Sequence, residues 1–164
     1  NNKKKKKIGI LLMDHGSRNP ASNARLHRLA ELYQLTIAGD NAGVGGNEVE
    51  EEEEEEESHE IVVLGAHMEI ATPSIPDQLR TLVWDHGVEE IVCHPYFLSP
   101  GRHVTEDIPQ IVQQAIVDLA IPKHIPVITT DPVGSNTQLM IGAIHSLVRE
   151  NSQVLRERKM KKNI

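Results

Sequence analysis

Short aliphatic segments alternate along the chain with stretches whose apolar residues recur at helical spacing. Residues 8–13 (IGILLM) form a strand-like run, and Asn19-Pro20 then supplies an N-cap and a proline at the first helical position ahead of Leu26, Leu29, Leu32 and Tyr33. Residues 61–66 (IVVLGA) read as a second strand. Ser74 and Asp77, three apart, make an acidic variant of the capping box, and the helix they open is predicted to stop at Gly87. The third strand is placed at 91–97. Thr105, Glu106 and Asp107 open a helix whose Ile108, Ile111, Val112, Ala115, Ile116 and Leu119 form one stripe, with Pro109 tolerated only in its first turn. A fourth strand at 125–130 precedes a last helix, begun by Ser135 or Asn136 and carrying Met140, Ile144, Leu147 and Val148. Beyond Asn151 the chain is polar and is expected to fray.

Four strands, each followed by a helix, predict an α/β fold: a three-layer sandwich around a four-stranded parallel sheet covered on both faces, with right-handed crossovers. Ligands of such sheets bind beyond the carboxyl ends of the strands. Function is therefore expected in residues 14–18, 67–72, 99–104 and 131–135.

The chain has 164 residues and a formal net charge of −7, a length expected of one domain. The eight glutamates of 50–57 exceed that whole net charge, so the acidity belongs to a Gly/Glu-rich insertion and the rest is near neutral. We expect a disordered basic N-terminus at 1–7, a single domain at 8–150 with a disordered insertion at 39–58, and a polar tail at 151–164. Aromatic residues are only 2%, so Val, Ile, Leu and Ala must build the core, and there is no aromatic platform for nucleic acid. Cys93 is the only cysteine, which excludes an internal disulfide, a four-cysteine iron–sulfur cluster and a thiolate zinc site. No apolar run approaches the roughly 20 residues of a membrane span, so no membrane association is expected. The chain opens at Asn1 without methionine, and the expectation is that a targeting or upstream segment precedes it.

Among candidate chemical groups, His15 lies in Asp14-His15-Gly16-Ser17-Arg18, directly after the first strand. His67 and Glu69 are two apart at the end of the second strand, a spacing that in extended chain sends both side chains to one face. Ser99-Pro100-Gly101-Arg102-His103 links the third strand to its helix and presents Arg102 and His103 at the same edge. His27, His59, His86, His94, His124 and His145 are read as structural or surface groups. Together His15, Glu69 and His103 offer two imidazoles and a carboxylate, a set suited to a divalent first-row metal with positions left open for transfer.

Four segments, LLMDHGSR (11–18), AHMEIATPSI (66–75), HPYFLSPGRHVTEDIP (94–109) and DPVG (131–134), resemble in order the class II chelatases of siroheme and cobalamin synthesis. The resemblance implies a chelatase-like fold, a relative of flavodoxin, and a homodimer of single-domain subunits with a tetrapyrrole in the cleft. By motif position it implies His15, Glu69 and His103 around the metal, with His15 and His103 catalytic. Ser17, Arg18, His67, Gly101 and Arg102 are the expected substrate-binding set. Plant relatives can carry cysteines for an iron–sulfur cluster toward the C-terminus. With none there, no iron–sulfur cluster is expected.

The implied reaction inserts Fe²⁺ into sirohydrochlorin, with Co²⁺ as the alternative metal and a non-catalytic metal or tetrapyrrole carrier as the reading from another class. The metal enters as substrate, and two pyrrole protons must leave. Imidazoles that titrate near about pH 6.5 can accept them or hold metal, Glu69 balances the metal charge, and Arg18 and Arg102 meet substrate carboxylates. A histidine-nucleophile phosphatase wants arginine directly before His-Gly, whereas Asp14 stands there. Homopolymeric Lys and Glu runs lean toward a eukaryotic chain, and so toward the plastid stroma; a prokaryotic chain would be cytoplasmic.

Overall fold

A computed structural model describes residues 5–40 and 59–162 of the protein. Residues 1–4 of the expected basic terminus and 41–58 of the expected insertion lie outside the described residues, as do 163–164.

Four strands, β1 (Lys7–Asp14), β2 (Glu60–His67), β3 (Glu90–Pro95) and β4 (Val127–Thr129), form one parallel sheet in the order β2-β1-β3-β4. This is the doubly wound order in which the chain reverses direction across the sheet next to β1, so that the ends of β1, β2 and β3 frame a crevice. Helices α1 (Pro20–Asp40), α2 (Ile75–Arg80), α3 (Ile108–Asp118) and α4 (Thr137–Lys162) follow the strands in turn. The register continues to the last residues of the first two strands, with Asp14 opposite His67.

Strand alternation divides the apolar residues between two layers. Leu11, Met13, Ile91 and Cys93 face α2 and α3, where Ile75, Leu79, Leu82, Ile108, Val112 and Ala115 close over them. Leu12 and Val63 face α1 through Leu26 and Ala30. Each fully buried aliphatic side chain contributes roughly 1.5–3 kcal/mol, so the first layer dominates stability. Gln34 of α1 also accepts from Val63 N–H and donates to Ile61 C=O, which satisfies backbone groups of the edge strand β2.

Several expected local signals are present. Asn19 Oδ1 accepts from Ala21 N–H at the start of α1, and both halves of the Ser74/Asp77 capping box are formed. Side-chain and backbone hydrogen bonds from Ser74 hold the Asp77 carboxyl below the usual range. Gly87 ends the second helical segment at φ 65°.

Other expectations need correction. Lys7 belongs to β1 and pairs with Glu60, and Lys6 bonds Glu90, because the chain continues the sheet one step beyond its apolar run. On α1, Leu32 and Tyr33 are exposed and Ala30 takes the inward position, so the buried stripe is offset from the bulkier residues. The 103–107 segment is already helical, one wide turn in which Ile108 N–H bonds the His103 C=O. α4 does not stop near 150 but runs to Lys162, and every residue from 141 to 150 is exposed. Ile144, Leu147 and Val148 therefore do not cover the sheet.

Candidate functional site

The ends of β1 and β2 are joined past their last paired residues. Met68 N–H bonds Asp14 C=O and Glu69 N–H bonds His15 C=O, at 2.8 and 3.1 Å. These bonds carry Glu69 alongside His15, and Glu69 Oε1 stands 2.7 Å from His15 Nε2. Gly16 makes the approach possible. Its φ is 85°, and a Cβ there would lie 2.0 Å from the Glu69 carbonyl oxygen. On the other side, Ala71 N–H bonds Glu69 C=O at 2.7 Å around Ile70, whose φ of 70° is costly for a β-branched residue. Glu69 is thus presented by a tight, strained turn.

His103 arrives from the wide turn ahead of α3, with its ring centroid 4.9 Å from that of His15 in an edge-to-face arrangement. Its Nδ1 is 2.8 Å from Asp107 Oδ2, one helical turn on. A carboxylate only accepts, so it holds the proton on Nδ1 and leaves the Nε2 lone pair for a metal or a proton. His15 has acceptors at both ring nitrogens, Glu69 Oε1 at Nε2 and Gly16 C=O at Nδ1. A neutral ring can donate to only one of them.

His15, Glu69 and His103 are therefore neighbours at the carboxyl edge of the sheet, each at least partly solvent-accessible. Among the described residues no three His, Cys, Asp or Glu side chains form a ready-made metal cage. The arrangement is a close pair, His15 and Glu69, with a third imidazole against it. Such an open set can receive and release a metal more readily than a closed cage.

The expected substrate-binding residues divide. Arg18 and Arg102 are exposed at this edge, Arg102 in a surface ion pair with Glu106 at 3.1 Å. Ser17 Oγ accepts from Asn19 N–H, and the Ser17 backbone is clamped by Asn23, so this serine shapes the turn into α1. Gly101 is exposed, but its N–H is taken by Ser99 C=O and its C=O by Val104 and Thr105.

His67 is a correction. It is fully buried and does not converge with Glu69, because β2 ends at His67 and the chain turns before Glu69, breaking the two-residue alternation. Its Nδ1 lies 2.6 Å from Asp14 Oδ1 and its Nε2 3.1 Å from His27 Nε2. His94, inside β3, places Nδ1 2.6 Å from Thr130 Oγ1 beside a separate groove that includes Asp131 and Asn136, and burial lowers its pKa. His86, His124 and His145 are exposed, as expected of surface groups. Burial raises the Cys93 thiol to about 12, which leaves it protonated and inert. Sequence reasoning overlooked Asp14, His27 and Asp107. Only Asp107 carried a readable signal, its position four residues after His103 on one helical face.

The chain matches the family CbiX over residues 9–151. It is 30% identical over 132 residues to the chloroplastic sirohydrochlorin ferrochelatase of Arabidopsis thaliana, covering 80% of this chain and 48% of that protein. It is 32% identical over 112 residues to the sirohydrochlorin cobaltochelatase of Methanothermobacter thermautotrophicus, covering 68% of this chain and 62% of that protein. The chain thus spans about half the length of the first relative and about three fifths of the second. Among solved structures it is similar to a CbiX protein of Marinobacter aquaeolei, with a TM-score of 0.54 and 24% identity over 89% of this chain and 98% of that one. It is also similar to the sirohydrochlorin chelatase SirB of Bacillus subtilis in complex with cobalt, with a TM-score of 0.55 and 20% identity over 87% of this chain and 50% of that one. These two likenesses establish the fold.

Proposed function

The chain belongs to the CbiX family of class II chelatases, and on that premise we propose that it is a sirohydrochlorin ferrochelatase, inserting Fe²⁺ into sirohydrochlorin to make siroheme. The observation that carries this reading is the His15–Glu69 contact of 2.7 Å with the His103 ring against it, on the crevice edge of a parallel sheet. Insertion exchanges two pyrrole N–H protons for one divalent metal, so the site must both present metal and accept protons. Glu69 and His15 hold the metal, and Glu69 offsets its charge. His103, kept with its Nε2 lone pair outward by Asp107, takes a proton or hands over the metal. Arg18 and Arg102 meet the substrate's carboxylates, Arg102 by exchanging an exposed pair that costs little to break.

Iron is favoured by the similarity to the plant ferrochelatase, which extends over 80% of this chain. Cobalt is the second reading, favoured by the 32% identity to an archaeal cobaltochelatase, and an N/O donor set accepts either metal. We assign the working unit as two copies of a single domain in the plastid stroma. Pairing is supported by Leu139, Ile141, Ile144, Leu147 and Val148, which leave α4 an apolar surface of its own. The plastid assignment is supported by the chloroplastic relative.

The test is anaerobic insertion of Fe²⁺ and, separately, Co²⁺ into sirohydrochlorin, followed by absorbance against an enzyme-free control. His15→Ala and His103→Ala should each lower the rate by about 100-fold or more while the circular dichroism spectrum is unchanged. Wild-type rates in both variants would overturn the site assignment. Binding of tetrapyrrole with no acceleration by either metal would make the protein a carrier.

A further inference from the structure

Behind the site, in the layer between β2 and α1, lie two imidazoles that the proposed chemistry does not use. His67 is fully buried at the last residue of β2, and His27 reaches it from α1, with ring centroids 5.1 Å apart and ring planes at 89°. Gly65 makes room for this approach, since a Cβ there would lie 3.0 Å from His27 Nδ1. Every buried side-chain nitrogen and oxygen among the described residues has a hydrogen-bond partner, so both rings are accommodated by the network.

The partners set the direction of each bond. Asp14 Oδ1 is 2.6 Å from His67 Nδ1 and also accepts the Gly16 N–H at 2.9 Å. A carboxylate oxygen cannot donate, so the proton of this bond belongs to His67 Nδ1. With that single proton on Nδ1, His67 has only a lone pair at Nε2, and in the 3.1 Å contact His27 Nε2 is then the donor. The result is a one-way chain, from His27 to His67 to Asp14, with the Gly16 amide closing on the same oxygen. Asp14 and Gly16 flank His15, whose ring faces Glu69.

We propose that His67 and His27 are positioning residues: through Asp14 and the Gly16 amide they lock the 14–16 turn, and so hold the His15 ring in register with Glu69. His67 touches no substrate and transfers no proton in this role. A carboxylate alone could cap the Gly16 amide, but a partly exposed aspartate is free to rotate, and the buried imidazole limits it to one orientation. The arrangement is the indirect support that metal-handling imidazoles receive from an outer ring of hydrogen bonds, whose loss costs about 10- to 100-fold in affinity or activity. The catalytic consequence rests on the chelatase reading; the hydrogen-bond chain does not.

The experiment therefore has two arms on the full chain. In the first, long-range ¹H–¹⁵N NMR of wild-type protein near pH 7.5 should find His67 as the Nδ1–H tautomer and His27 as the Nε2–H tautomer. Assignment of the opposite tautomer to either ring overturns the proposal, whatever the protein catalyses. In the second, His67→Phe, which keeps the volume, and His67→Asn, whose amide can donate in place of Nδ1, are compared by amide hydrogen exchange and by chelation. The Phe variant should speed exchange at Gly16 without speeding it at Leu11 in the core of β1, and should lower kcat about 10- to 100-fold with KM for sirohydrochlorin unchanged. The Asn variant should recover most of both losses. Unaltered Gly16 exchange in the Phe variant, or no recovery by Asn in a folded protein, would refute it. Failure of wild-type protein to insert either metal would sink the chelatase reading and leave the tautomer and exchange results standing on their own.

Discussion

At His94, burial disfavours the imidazolium and lowers the pKa from its ordinary value of 6.5. The unfolded chain therefore binds this proton more readily than the folded one. As pH falls below about 6.5, protonation favours the unfolded state, and stability is lost until the folded pKa is passed; above about 6.5 both states are neutral and the contribution is complete. We expect His94→Gln to flatten the fall of the urea midpoint between pH 7 and 5, and parallel pH profiles in the two proteins would contradict this. His15, Glu69 and His103 were readable because each follows a strand or its loop at the binding edge. His67 misled because alternation holds only while the strand lasts, and its last residue points into the body. Asp14 and His27 were hidden, since a strand-end aspartate and a helix histidine 13 residues later in sequence carry no local sign that they share a partner.

Among the elements, the turn formed by 14–18 against 67–71 depends on a backbone approach that only glycine permits. Gly16→Ala would place a Cβ 2.0 Å from the Glu69 carbonyl at a φ of 85°. The expected cost is more than about 2 kcal/mol, combining backbone strain and steric overlap, with chelation abolished because Glu69 is pushed from His15. Urea denaturation and the insertion assay together check this; a variant as stable and as active as wild type would show that the turn relaxes freely. The helix of the 75–87 region was legible at both ends because a capping box and a terminal glycine are local devices. The entry into α3 was not: His103 sits inside a wide helical turn, set by the packing of Val104 and Ile108 and by a proline at 109 that has no N–H to give.

For the whole molecule, α4 is the element that the fold does not finish. Ile141, Ile144, Leu147 and Val148 are between 57% and 61% exposed, a surface that a second copy would cover in the proposed dimer. Ile144→Glu combined with Leu147→Glu should convert that dimer to monomer in sedimentation velocity, with the Fe²⁺ insertion rate falling in proportion if the cleft is shared. Wild-type protein that sediments as a monomer at tens of micromolar would remove the pairing from the functional reading.

Strand count, the parallel βα repeat, the capping box at Ser74 and the strand-end positions of His15, Glu69 and His103 all follow from the sequence, because periodicity and caps are decided by residues within a few positions of one another. Tertiary structure alone decided which of those groups meet. The 2.7 Å contact between His15 and Glu69, the tie between His67 and Asp14 across 53 positions and the exposure of α4 arise from sheet register and from the packing of α1 against β2. These are long-range choices made by burial over the whole chain, and no short stretch of sequence contains them.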